Sequence, residues 1–196
     1  MLEVDIDRTR DWDGQIDWDR IAEDAVKAAF SVSSHGDLAD APFKMSISIQ
    51  LSDDQEVHEL NRNWRGKDKP TNVLSFPMLE SDELAALLSP LPFRGGVGGG
   101  AAQPLRDIGQ PHPNPSPEGE GLEVLLGDMI LAYGVCASEA EDKAIPLTRH
   151  VSHLIVHGTL HLLGLDHIDE AEAEHMEALE VKALASLGIA NPYSDH

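Results

Sequence analysis

His157-Gly158-Thr159-Leu160-His161-Leu162-Leu163-Gly164-Leu165-Asp166-His167 sets three histidines at H-x-x-x-H-x-x-x-x-x-H spacing, with a glycine between the second and third. On a helix, positions i and i+4 lie roughly 40° apart and about 6 Å along the axis, so His157 and His161 project side by side. Two imidazoles so placed can both reach one ion at the about 2.0–2.1 Å that zinc requires. Gly164 supplies what a third ligand needs, because a glycine just past a helix can take the left-handed conformation that stops it. The chain then turns back and brings His167 within reach of the same ion. Three neutral nitrogens with one coordination position left for water is the layout of a catalytic zinc. The expected ligands are therefore His157, His161 and His167, around one Zn2+ per chain, with nickel as the alternative ion.

The spacing is that of the metzincin zinc peptidases, H-E-x-x-H-x-x-G-x-x-H, with one difference that changes the chemistry. Those enzymes carry glutamate after the first histidine, as general base for the metal-bound water. Here that position is Gly158, which has no side chain. The pattern predicts a hydrolytic metal site and argues against ordinary peptide hydrolysis.

A chain of 196 residues is ordinarily one domain with a substantial core, and 41% hydrophobic content with 5% aromatics fits a soluble globular protein. No apolar run approaches the roughly 20 residues of a membrane helix. The acidic start Met1-Leu2-Glu3-Val4-Asp5-Ile6-Asp7 is unlike a signal peptide. Cys136 is the single cysteine, so no intramolecular disulfide forms, and it reads as a small buried hydrophobe. The expectation is a cytoplasmic protein with neither a membrane nor a disulfide-linked partner.

A net charge of -21, from 14 basic and 35 acidic residues, would repel polyanions at long range. Distribution matters more than the sum. Arg62, Arg65, Lys67 and Lys69 cluster in Asn61-Arg62-Asn63-Trp64-Arg65-Gly66-Lys67-Asp68-Lys69-Pro70, the densest basic stretch in the chain. Taken alone it reads as a solvated face. Trp64 within it is open to two readings, a stacking partner for a base or a core residue.

Along the chain the pattern is mixed. Leu2–Ile6 alternates apolar and polar and reads as a strand. Trp18, Ile21, Ala22, Ala25, Val26, Ala29 and Phe30 predict a helix over about 17–32. Met45, Ile47, Ile49 and Leu51 alternate with Ser46, Ser48 and Gln50 as a strand with one buried face. Ser52 is the expected cap of a helix carrying Val57, Leu60 and Trp64 and ended by Gly66. Strands follow at 71–76 and 123–133, and helices at about 135–142, from Pro146 to Leu163, and from Asp169 to Gly188. Between about 80 and 121, glycine and proline density with few large apolar residues reads as a disordered insertion, apart from a short helix at Asp82–Leu88.

Three segments together resemble the YbeY family of bacterial endoribonucleases, also called ribosomal RNA maturation factors. They are Leu60-Asn61 through Trp64-Arg65, Asp68 and Pro70–Pro77; Leu126-Gly127-Asp128-Met129-Ile130; and His153–His167 with the following acidic helix. The likeness spans nearly the whole chain outside about 80–121. Trp64 stands where the family has tyrosine or phenylalanine, and the 80–121 insertion is longer than the family's.

The resemblance implies one domain over 1–196, of α+β class, with a small mixed sheet of about four strands packed with about five helices and a zincin-like metal helix. It implies a metal-dependent, single-strand-specific endoribonuclease that processes the 3′ end of small-subunit ribosomal RNA and serves ribosome quality control. The implied partners are single-stranded ribosomal RNA and the ribosome or its small-subunit proteins. By position, His157, His161 and His167 match the family's zinc ligands and Arg65 its functional arginine. Arg62, Lys67 and Lys69 are the expected phosphate contacts. His153 is a proton carrier, a group supporting a ligand from behind, or a packed helix histidine, the last preferred, and Asp166 orients the turn or a ligand's free N–H. The competing readings are a non-catalytic assembly factor stabilised by zinc and, less favoured, a zincin-type peptidase.

Overall fold

A computed structural model of the protein describes residues 1–12, 14–88 and 123–194. The strands are β1 (Leu2–Arg8), β2 (Lys44–Ser52), β3 (Val73–Pro77) and β4 (Glu123–Ala132). The helices are α1 (Trp18–Val32), α2 (Asp54–Arg65), α3 (Ser81–Leu88), α4 (Tyr133–Asp142), α5 (Leu147–Leu162) and α6 (Glu170–Ser186), with a 3-10 turn at Gly36–Asp40. Most of the expected insertion, from residue 89 to 121, lies outside the described residues; its first part forms α3, one residue longer than the expected short helix.

The four strands form one mixed sheet in the order β1-β2-β4-β3. The first three run parallel and β3 pairs antiparallel with β4, placing Leu74 opposite Ile130. Parallel neighbours need long crossovers, which α1 and the α2–β3–α3 segment supply. A bulge in β4 shifts the register between Ser46 and Ile47.

Side chains alternate across the sheet and sort into two apolar layers. Met45, Ile47, Ile49, Leu51, Met129 and Leu131 join α1, α5 and α6 in the main core. Ile130 and Ala132 point the other way, into a smaller cluster with Val57 of α2 and Leu74. Polar Ser48 and Gln50 of β2 stay half-buried on that second face, as the alternation predicts.

Helix α5 packs against α1, α4, α6, β3 and β4, which is why ten of its residues are buried. It ends in a Schellman turn. Gly164 has φ 82°, its N–H donates to His161 O at 3.0 Å, and Leu165 N–H donates to Leu160 O at 3.1 Å. One expected cap is displaced. Asp53, not Ser52, caps α2 by accepting from Glu56 N–H at 2.9 Å, while the Ser52 hydroxyl bonds the Glu56 side chain. Ser52 is the last residue of β2, and its strand pairing leaves the cap to its neighbour.

Candidate metal centre

The last two turns of α5 and the Schellman turn build the centre. His157 and His161 stand one turn apart, their Nε2 atoms 3.1 Å from each other. Past Gly164 the chain doubles back, Asp166 Oδ1 accepts from His167 N–H at 2.8 Å, and the His167 ring lands 5.0 Å from that of His161 and 5.6 Å from that of His157. One donor atom from each histidine lies within 4.8 Å of the other two. Asp166 thus orients the turn, and His157 and His161 take their far-side bonds elsewhere.

Those far-side bonds assign the tautomers. His161 Nδ1 lies 2.9 Å from Leu165 O, and a carbonyl only accepts, so Nδ1 carries the hydrogen and Nε2 is a lone pair. His157 Nδ1 lies 2.7 Å from Glu180 Oε1 on α6, and a carboxylate only accepts, so Nδ1 carries a hydrogen there too and Nε2 is the atom turned toward His161. At 3.1 Å the two Nε2 atoms share whatever cation lies between them, a proton or a metal ion. A tetrahedral zinc with bonds of about 2.0–2.1 Å sets neighbouring donors roughly 3.3–3.4 Å apart. The donor set therefore fits a divalent ion that favours imidazole, a preference zinc shares with nickel, copper and iron.

The electrostatics agree. Burial, aided by neighbouring His157, pushes the His161 pKa down to about 4, so its lone pair stays free at neutral pH. Burial alone would raise the Glu180 pKa, but bonds from His153, His157 and Tyr193 outweigh it and bring it down to about 2.

A cavity of about 400 Å³ opens in front of the histidines, and Arg65, at the end of α2, lines it beside Trp64, His157, His161 and His167. The loop after Arg65 is tied back to α2 by Asn61 Nδ2 donating to Lys69 O at 2.7 Å and by His58 Nε2 against Asp68 Oδ1 at 2.8 Å. Arg65 makes no ion pair among the described residues. Arg62, Lys67 and Lys69 are exposed around the same turn but line neither this cavity nor the larger adjoining groove. Trp64 is 73% exposed and edge-on to Phe76, so it is no core residue. That groove, of about 730 Å³, shares Trp64, Ser75, Phe76 and Pro77 with the cavity.

Two features were not anticipated. Glu180 and Tyr193 stand behind the ligands, separated from them in sequence, and only an i, i+3, i+4 reading of α6 places position 180 on its buried face. Gly158 faces the sheet: a Cβ there would lie 2.4 Å from the Met129 sulfur. A glutamate at 158 would point into β4, beneath the helix. His153 does not line the cavity and instead bonds Glu180 Oε2 at 2.7 Å.

Comparison with known proteins shows the family. The family model described as Endoribonuclease YbeY matches residues 8–188. A protein named Endoribonuclease YbeY from Sphingopyxis alaskensis is 46% identical, covering 100% of this chain and 99% of its own. One of that name from Rhizorhabdus wittichii is 47% identical over 99% and 98% of the two chains. A third, from Zymomonas mobilis, is 44% identical over 100% and 95%. Matched along almost its full length, histidine turn and Arg65 segment included, the chain belongs to the YbeY endoribonuclease family.

Proposed function

We propose that the protein is a metal-dependent endoribonuclease that cuts single-stranded RNA. Its substrate is the 3′ region of small-subunit ribosomal RNA, and its place is the cytoplasm, in ribosome maturation and quality control alongside the ribosome or its small-subunit proteins. The observation that carries this reading is one cavity lined by both Arg65 and the three histidines. His157, His161 and His167 would hold a single Zn2+, or nickel in its place. A bound ion supplies Lewis-acid polarisation of a phosphoryl oxygen and activation of water.

The chain's own residues do the rest. Attack on phosphorus, whether by water or by the ribose 2′-hydroxyl, builds negative charge on the phosphoryl oxygens. The Arg65 guanidinium is an exposed planar donor beside them, suited to clamp that charge as it develops. Arg62, Lys67 and Lys69 supply local positive potential that draws phosphates to one face of a strongly acidic protein. Trp64 offers a ring face on which an unpaired base can stack, a contact that bases inside a duplex cannot make, consistent with single-strand preference. Position 158 offers no general base, so the peptidase reading lacks its essential group.

The test is cleavage of a small-subunit RNA 3′ fragment by purified protein, with metal content measured on the same sample. Chelator should abolish cleavage, zinc should restore it, and the fold should persist throughout by circular dichroism. Undiminished cleavage in metal-stripped protein would overturn the proposal.

A further inference from the structure

Glu180 has 1% of its side chain exposed. A buried carboxylate persists only where it is paired and hydrogen-bonded, and its partners here are specific. Oε1 accepts from His157 Nδ1 at 2.7 Å, while Oε2 accepts from His153 Nε2 at 2.7 Å and from the Tyr193 hydroxyl. Met176, Leu179, Ala183 and Leu184 bury the same face of α6, so the helix itself presents Glu180 to α5. After Gly188 the chain reverses, Ile189 N–H donating to Leu184 O at 2.9 Å, and this return carries Tyr193 back to the carboxylate.

A purely stabilising role would not require this arrangement, since a buried ion pair is often replaceable by apolar residues at little cost. The contact instead selects one state of one ring. We infer that Glu180 is a positioning residue of the metal centre: it holds the hydrogen on His157 Nδ1, keeps Nε2 as the lone pair aimed at the ion, and fixes the ring plane. His153 and Tyr193 hold the carboxylate in turn. Among the described residues, Glu180 is the only charged side chain bonded to a ligand ring; His161 has a neutral carbonyl in the equivalent place. Its negative charge therefore offsets part of the charge of an ion held by three neutral nitrogens. Outer partners of this kind typically change metal affinity by about 10–100-fold.

This inference rests on the proposed metal reading, and the experiment separates the two. Zn2+ affinity is measured by competition with a chromophoric chelator for the parent, Glu180→Gln, Tyr193→Phe and Glu139→Gln. Glu139 is the control, because its histidine bond is to His150, which is not a ligand. Glu180→Gln should weaken zinc by about 10–100-fold, Tyr193→Phe by less, and Glu139→Gln by under about twofold. The parent also reports directly: nitrogen-15 NMR of the metal-free protein should show a hydrogen held on His157 Nδ1. Should Glu180→Gln fail to fold, that spectrum decides. A His157 with no hydrogen on Nδ1, or a Glu180→Gln that binds zinc as tightly as the parent, overturns the positioning role alone. A parent that takes up no zinc overturns the metal reading beneath it.

Discussion

The Nε2 atoms of His157 and His161 face each other across 3.1 Å, and each ring is held there by a bond on its far nitrogen. One of those bonds is made within the Schellman turn that ends α5, the other by a helix that begins after that turn. Folding alone thus sets both rings, and an ion held between them would meet a lowered ordering cost. That preorganisation and the placement of Arg65 both have measurable consequences.

Arg65→Ala should lower RNA cleavage by roughly 10²-fold or more while zinc content stays unchanged, because arginine is not a ligand. The loss should persist at saturating RNA. Arg62→Ala, Lys67→Ala and Lys69→Ala should instead weaken binding and flatten its salt dependence by about one unit of slope for each phosphate no longer neutralised. Single-turnover rates across a salt series measure both. An Arg65→Ala protein that matches the parent at saturating RNA would remove Arg65 from the chemistry.

Gly158→Ala should destabilise the protein even though alanine favours helix. The new Cβ meets the Met129 sulfur at 2.4 Å, in a buried layer. Overpacking of that kind costs about 1–3 kcal/mol, against a propensity gain of about 1 kcal/mol. Met129→Ala in the same chain should recover part of the loss, read from urea unfolding as a double-mutant cycle. Gly158→Glu should be less stable still and should gain no peptidase activity on casein.

The clustering of the three histidines was legible because its signal is local: two histidines one helical turn apart, a stop glycine, a third histidine. So was the buried face of β2, where apolar and polar residues alternate without a break from Met45 to Leu51. Glu180 was not legible, because α6 carries glutamates at 170, 172, 174 and 177 as well, and position 180 reads like one more solvated glutamate until α5 is packed against it. Trp64 could not be assigned for a related reason: seven residues on from Val57 it continues the same face of α2, and only the tertiary structure shows it exposed beside Phe76. The parallel pairing of β1, β2 and β4 is likewise a property of long crossovers rather than of any single strand.

Cys136 should be inert in the native state. It is fully buried, and burial, with Glu139 and Asp54 adding to it, pushes its thiol up to about 12. Alkylation by iodoacetamide at pH 8 should run on the order of 10²-fold or more slower than in urea, followed by mass spectrometry. Equal rates would show that the helix α4 face opens readily.

Stability of the metal-free protein should fall below neutral pH, in part through His150. That ring is 1% exposed; burial holds its pKa below the usual value of 6.5, outweighing the bond to Glu139. The unfolded chain therefore binds a proton that the native state refuses, so this contribution is full above about 6.5 and is lost as pH falls from there toward the native pKa. Urea midpoints at pH 7.5 and 5.5, both with chelator, should differ less in His150→Gln than in the parent. An identical difference in the two proteins would exclude His150 as a source.

The most direct measurement pairs zinc content with RNA cleavage in His161→Ala and in the double variant His157→Ala, His161→Ala. With one of three protein ligands gone, the single variant should carry zinc below half occupancy and lose cleavage in proportion. The double variant should carry none and cut nothing, while both keep the parent's circular dichroism. Full zinc retention in the double variant, or RNA cleavage at the parent's rate without zinc, would contradict a metal centre built on these histidines.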